Sequence, residues 1–313
     1  MLRFIAGRIA AGAVLIVIVA SATFLVMYLN SERVVRTLVG DNATPELVEA
    51  RTAQLGLDRP VFVQLFDWGW KALGGDLGVS YFTTEPVTDV IFNRLPVTIS
   101  LVVCAILILT VLSALLGVAA GVRQGGAIDK IVQVLSELFS SVPKFWLGLM
   151  LVLAFAINLR MFPATGYVPI TDGIGAWALA LALPTTAIVL GELRVVSMVR
   201  GSIADELRKD YVRTLRARGL SSGEIVFRNV LRNASGPWLA LMSMKVVALL
   251  SGAVVIEQVF ALPGLGQLAT TAATGGDIPV LMGIVVTITI IISIVYVLFD
   301  LLTAWLNPKV RLS

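Results

Sequence analysis

The chain has 313 residues, of which 58% are hydrophobic and 14% charged, with a formal net charge of +4. Soluble domains average roughly 45–50% apolar and 25% charged residues, so much of this surface must face lipid. With no His and one Cys, catalytic triads built on His, His-ligated metals, intrachain disulfides and Cys clusters are excluded.

About 20 apolar residues cross a hydrocarbon core of about 30 Å. Stretches 9–29, 95–122, 131–157, 173–198, 236–257 and 278–305 predict six spans in one domain over 1–313, an all-α integral membrane fold. The first run carries Ala20-Ser21-Ala22, which resembles a cleavage site, but its length reads as a retained anchor. Cys104 sits in the apolar second run and reads as packing. Gly117 and Gly121 form a small-x-x-x-small pair that predicts close helix packing.

Residues 30–94 form a loop with helix signals of its own. Thr44 caps a predicted helix with Pro45 at its first position, ended by Gly56, and Pro60 opens another that Gly74-Gly75 closes. In the second, Val61, Leu65, Phe66, Trp70 and Leu73 recur at helical spacing, which predicts a helical cap with one apolar face. Asn42-Ala43-Thr44 matches a glycosylation acceptor, a pattern short enough to arise by chance.

The third span carries Glu137 and Lys144 and the fifth carries Lys245. The first two are seven apart, which predicts a shared helix face. Two readings stand: these charges line a translocation path, or they snorkel and pair between helices.

Between spans four and five, residues 199–237 are strongly basic. Ser202 predicts a cap for a helix from Ile203 to Arg218, with Leu207, Tyr211 and Leu215 on one side and Lys209, Arg213 and Arg216 on the other. Gly219 breaks it. Ser221-Ser222-Gly223-Glu224 is a capping box for a second helix with an apolar stripe at Val226, Phe227, Val230 and Leu231, and Pro237 then opens the fifth span. Periodicity alone leaves a hairpin resting on anionic lipid beside a rigid element that passes a push from a soluble motor. No Gly-Lys pair occurs, so no P-loop is present and any ATP chemistry belongs to another subunit. In 258–277, Pro263-Gly264 predicts a turn, read either as plain re-entry or as a contact with a partner or the substrate path.

With the N-terminus inside, the inner segments hold fifteen Lys and Arg, nine of them between Arg194 and Arg232, against seven in the outer loops. The positive-inside rule then predicts both termini in the cytoplasm, and the basic balance reflects topology with no need of nucleic acid.

The run Asp210-Tyr211-Val212-Arg213-Thr214-Leu215-Arg216-Ala217-Arg218-Gly219-Leu220, followed by Leu231-Arg232-Asn233-Ala234 and Pro237, resembles the signature of bacterial ABC importer permeases of the dipeptide/oligopeptide/nickel branch. Leu55-Gly56-Leu57-Asp58-Arg59-Pro60, Gly75-Asp76-Leu77-Gly78-Val79-Ser80, the stretch from Glu257 to Gly266, Asp277-Ile278-Pro279 and Asn307-Pro308-Lys309 resemble that branch in the same order. The chain departs from the pattern at Leu215, at Gly236 and at Asn30-Ser31-Glu32. The resemblance implies a multi-pass subunit of the bacterial inner membrane that forms half of a path for di- or oligopeptides. It implies as partners a second homologous permease, two ABC ATPases and an extracytoplasmic solute-binding protein. This chain would carry no cofactor; ATP and Mg would sit on the ATPases. Asp210, Tyr211, Arg213, Thr214, Arg216, Ala217, Gly219, Leu220, Arg232, Asn233 and Pro237 would form the ATPase-coupling segment. Phe260, Pro263, Gly264, Leu265 and Gly266 would form the binding-protein or gate loop. An ion-coupled transporter or channel acting alone is the alternative, predicting repeats or intramembrane carboxylate sites that the sequence does not display. A membrane enzyme lacks its chemistry here.

Overall fold

The computed structural model describes residues 2–29, 31–40 and 43–306. The Asn42 acceptor and the Asn307-Pro308-Lys309 flank lie outside them. The chain runs α1 (Leu2–Tyr28), α2 (Ser31–Val39), α3 (Pro45–Gln54), α4 (Val61–Leu73) and α5 (Val87–Val122). It continues through α6 (Ala127–Ser140), α7 (Lys144–Leu151), α8 (Ile174–Gly191), α9 (Arg194–Leu207) and α10 (Asp210–Ala217). The remainder is α11 (Ser222–Glu224), α12 (Leu231–Val259), α13 (Leu265–Gly275) and α14 (Ile278–Leu306). Two compact units emerge: a terminal one of residues 2–97 and 263–294, and a central one of 98–262 with the end of α14.

In the terminal unit the predicted caps form. The Thr44 hydroxyl accepts from the Leu47 amide, Pro45 is the first residue of α3, Gly56 turns the chain at φ +68°, and Gly75 does so after α4 at φ +86°. α1 runs unbroken through Ala20-Ser21-Ala22. Ala20 and Phe24 of α1 pack with Val34 and Val35 of α2 and with Ile278 and Met282 of α14. The packed face of α4 differs from the predicted one: Val61, Leu65 and Trp68 lie against this core, while Phe66, Trp70 and Leu73 are 71%, 71% and 84% exposed. Gln64, Asp67 and Lys71 mark one polar strip, but the apolar arc that remains is wider than the packed face, so spacing alone does not select which part of it is covered. Ser80 Oγ donates to Asp277 Oδ2 at 2.5 Å and the Tyr81 amide to Oδ1 at 3.2 Å, tying the loop before α5 to the start of α14. Burial, and after it the Asp277 charge, pushes the Tyr81 phenol up to about 12.

In the central unit the third predicted span breaks. α6 and the helix from Lys144 to Asn158, whose second half is wound as a π-helix, meet at 101° across Ser141-Val142-Pro143. Pro143 disfavours helical geometry at Val142 and lacks an amide hydrogen, which ends α6 and starts α7. Among the described residues, five helices are long and apolar enough to cross a membrane, or six if the bent pair is one span. The helix that carries the fifth predicted span starts before that span, running from Ser222 to Val259. Pro237 lies inside this helix rather than at its start, so one intrahelical bond is missing there. Gly117 and Gly121 pack as predicted, on α9: a Cβ at Gly121 would sit 2.8 Å from Ile203 Cβ and 2.9 Å from the Arg200 carbonyl oxygen.

Candidate functional site

The basic segment is built from three helices where the sequence predicted two. The expected helix from Ile203 to Arg218 is divided at Arg208-Lys209, and Ser202 lies within α9 rather than capping a helix. Leu207, Tyr211 and Leu215 therefore share no continuous face. The reason is Glu206, a 7% exposed carboxylate at the end of α9. It accepts from Lys209 Nζ at 2.5 Å and from Tyr211 Oη at 2.9 Å, drawing the chain back on itself. Burial by itself would raise the Glu206 carboxyl, but the hydrogen bonds of Lys209, Tyr211 and Asn233 hold it below its usual range. Burial, ahead of its bond to Glu206, pushes the Tyr211 phenol up.

α10 that results is short, with Val212 fully buried beneath it and Arg213, Thr214, Arg216 and Ala217 exposed. It ends in a Schellman motif: Gly219 at φ +85° donates to the Arg216 carbonyl at 2.9 Å and Leu220 to that of Leu215 at 3.3 Å. Ser221 Oγ accepts from the Glu224 amide at 3.3 Å, as the capping box predicts, whereas the Glu224 carboxylate lies 3.6 Å from Arg228. Val226 and Val230 of the predicted stripe are buried, but Phe227 is 74% exposed. Arg232, Asn233 and Pro237 are exposed along the next turns. Asn233 lies beside the Glu206–Tyr211 pair and acts to lower both groups, so the two halves of the signature adjoin.

The charges inside the apolar stretches pair between helices. Lys144 Nζ of α7 lies 2.6 Å from Glu192 Oε1, and Lys245 Nζ of α12 lies 2.7 Å from Glu192 Oε2. Glu192, at the end of α8, is 8% exposed at its side chain against 23% and 25% for the lysines. Two ammoniums thus share one buried carboxylate. The Lys144 stem runs between Gly191 and Gly252, where added Cβ atoms would come 2.7 Å from its Cγ and 2.9 Å from its Nζ. Glu137 stands across the break, 62% exposed and 4.0 Å from Arg194, so it shares no face with Lys144. Sequence reasoning passed over Glu192; its signal was a lone acid closing an apolar run in a chain with two intramembrane lysines. It passed over Asp129 as well, which is 1% exposed and receives Arg200 Nε and Nη2, each at 2.6 Å, and the Gly125 amide at 2.8 Å.

In the loop after α12, Phe260 is 1% exposed and Leu265 0%, Gly264 and Gly266 are buried, and Pro263 is half-buried. Phe260 covers Gly148 of α7, and its carbonyl accepts from the Gly166 amide at 3.0 Å. Gly264 caps α13, a helix where the sequence predicted loop.

Comparison with known proteins matches residues 113–312 to the family of binding-protein-dependent transport system inner membrane components and residues 1–102 to its N-terminal region. A "Putative peptide transport system permease protein" of Brucella abortus (strain 2308) is 36% identical over 99% of both chains. The dipeptide transport system permease protein of Lactococcus lactis subsp. cremoris is 35% identical over 86% of this chain and 87% of its own length. The metal-staphylopine import system permease protein of Staphylococcus aureus (strain Mu50 / ATCC 700699) is 30% identical over 99% of both. Among solved structures, the inward-facing MetNI methionine ABC transporter aligns with a TM-score of 0.58 at 18% identity, over 72% of this chain and 100% of that one, a likeness of fold. The chain belongs to the family of binding-protein-dependent transport system inner membrane components, and it is the permease component of an ABC importer in the inner membrane.

Proposed function

We propose that this permease forms half of a peptide translocation path and that α10 is its coupling helix, seated in a cleft of an ABC ATPase on the cytoplasmic side. The observation that carries the reading is the build of α10: an exposed cationic surface of Arg213 and Arg216 on a helix fixed at both ends, by the Glu206 network before it and the Gly219 turn after it. A push on such a helix moves α9 and, through Asn233, α12. The inner-loop excess of Lys and Arg supports both termini in the cytoplasm.

The partners are a second homologous permease, two ATPases that carry ATP and Mg, and an extracytoplasmic binding protein that delivers substrate. Peptide is the cargo named for two of the relatives above. The loop bearing Ala261 and Pro263, its exposed and half-buried points, faces that protein. Lys144 and Lys245 serve the path through Glu192, as a positive patch for the substrate carboxylate, and Glu137 stands near its inner end.

Co-purification of the permease pair with its ATPases, followed by substrate-stimulated ATP hydrolysis, tests the reading. Arg216→Glu is expected to abolish ATPase association while leaving the permease folded; intact association would sink the coupling role. Lys144→Met with unchanged transport and unchanged ATPase stimulation would remove the patch from the path. Transport by the chain alone would overturn the whole reading.

A further inference from the structure

Four strongly exposed large apolar side chains of the terminal unit lie together on α4: Phe62 at 74%, Phe66 and Trp70 at 71% and Leu73 at 84%. A patch of that kind in water is rare and marks an interaction surface. Beside it is a cavity of about 550 Å³ walled by α4, by Ile16, Val17, Ala20 and Ser21 of α1 and by Val286 and Ile290 of α14. That volume is within the range of small-molecule sites, about 300–1,000 Å³.

The depth of the cavity identifies its surroundings. At about 1.5 Å per residue, Ala20 and Ile16 lie about 12 and 18 Å from the end of α1 at Tyr28. Val286 and Ile290 lie the same distances, about 12 and 18 Å, from the start of α14 at Ile278. Those two ends adjoin, since Phe24 and Ile278 share a core. Both walls are candidate membrane spans, so the cavity lies well inside a hydrocarbon core of about 30 Å. Its lining is mostly apolar, and α4 lies along α1 and α14 where the sequence predicted a cap over their ends. On α4, Asp67 is held by Arg59 at 2.5 Å, while Lys71 has no ion pair among the described residues. A free ammonium on a flexible stem beside Trp70 suits an anionic headgroup above a buried chain.

We propose that this cavity is a lipid site, in which an acyl chain of a membrane phospholipid fills the space between α1, α4 and α14 and its phosphate meets Lys71. The bound lipid then serves as part of the packing of α4, which by itself covers little of its own apolar surface.

The test uses the assembled transporter in bilayers of phosphatidylethanolamine and phosphatidylglycerol, a fraction of the latter carrying a photoactivatable acyl chain. After irradiation, labelled residues are mapped by mass spectrometry. Labels are expected on Ile16 to Ser21, on α4 and on Val286 to Ile290. Gly69 lines the cavity and a Cβ there meets nothing within 4 Å, so Gly69→Leu fills the space without disturbing the backbone. Relative to labelling of the whole chain, it should lower these labels severalfold, because the leucine side chain takes up the space the acyl chain would fill. Lys71→Gln should erase any preference for phosphatidylglycerol over phosphatidylethanolamine probes. Equal labelling of wild type and Gly69→Leu would overturn the proposal. So would absence of lipid labels with a protein crosslink at Trp70 in their place, which would show a partner helix in the cavity.

Discussion

Removing the Glu192 carboxylate should cost about twice as much as removing either lysine. In wild type, two ammoniums at 2.6 and 2.7 Å share that one buried group. Glu192→Gln leaves both positive charges in an apolar bundle without a counter-charge, and breaking a buried pair from one side costs about 3–5 kcal/mol. The lysine side chains are 23% and 25% exposed, so partial hydration places the expected cost near the lower end, about 3 kcal/mol. Lys144→Met or Lys245→Met leaves a neutral one-to-one pair and loses about one charged hydrogen bond, on the order of 1.5 kcal/mol. Thermal unfolding of the detergent-solubilised transporter, followed by loss of the monodisperse peak, reads the difference. At about 2–4 °C per kcal/mol, Glu192→Gln should lower the midpoint by about 6–12 °C and each Lys→Met by about half that. Equal shifts for all three, or no shift for Glu192→Gln, would refute a desolvated shared carboxylate and point to a hydrated site.

Gly121→Ala should destabilise the central unit by about 1–3 kcal/mol, seen as a lower unfolding midpoint, because its Cβ would meet Ile203 and a backbone oxygen that cannot move aside. Gly219→Ala forces a side chain into a positive-φ turn at φ +85° and should cost about 1 kcal/mol in the same assay. ATPase association should weaken with it. The Glu206 carboxyl is depressed below its usual 4.5, so its contribution is complete above that value and is lost as pH falls through the lower one. Association should accordingly stay flat between about pH 5 and 8 and weaken only in stronger acid, whereas Glu206→Gln should weaken it already at neutral pH.

Much of this protein is written in short-range terms. Runs of apolar residues fix which segments enter the membrane, since the cost of burying charge in lipid is paid residue by residue. Thr44-Pro45, Gly56, Gly75, Gly219 and Ser221 each act through their own backbone geometry or their nearest neighbours, so the sequence alone places those caps and turns. Gly117 and Gly121 announce close packing by having no side chain. The sequence does not say what a residue meets far along the chain. Glu192 joins residues 48 and 53 positions away, and Asp129 is bound by Arg200 71 positions away. Only the folded bundle turns these isolated charges into closed clusters. The same holds for the break at Arg208-Lys209, where Glu206, buried by tertiary packing, overrides a helical pattern that reads straight through. On α4, whose apolar arc runs round most of the helix beside the strip of Gln64, Asp67 and Lys71, the neighbouring helices α1 and α14 decide which part of that arc is covered and which is left exposed.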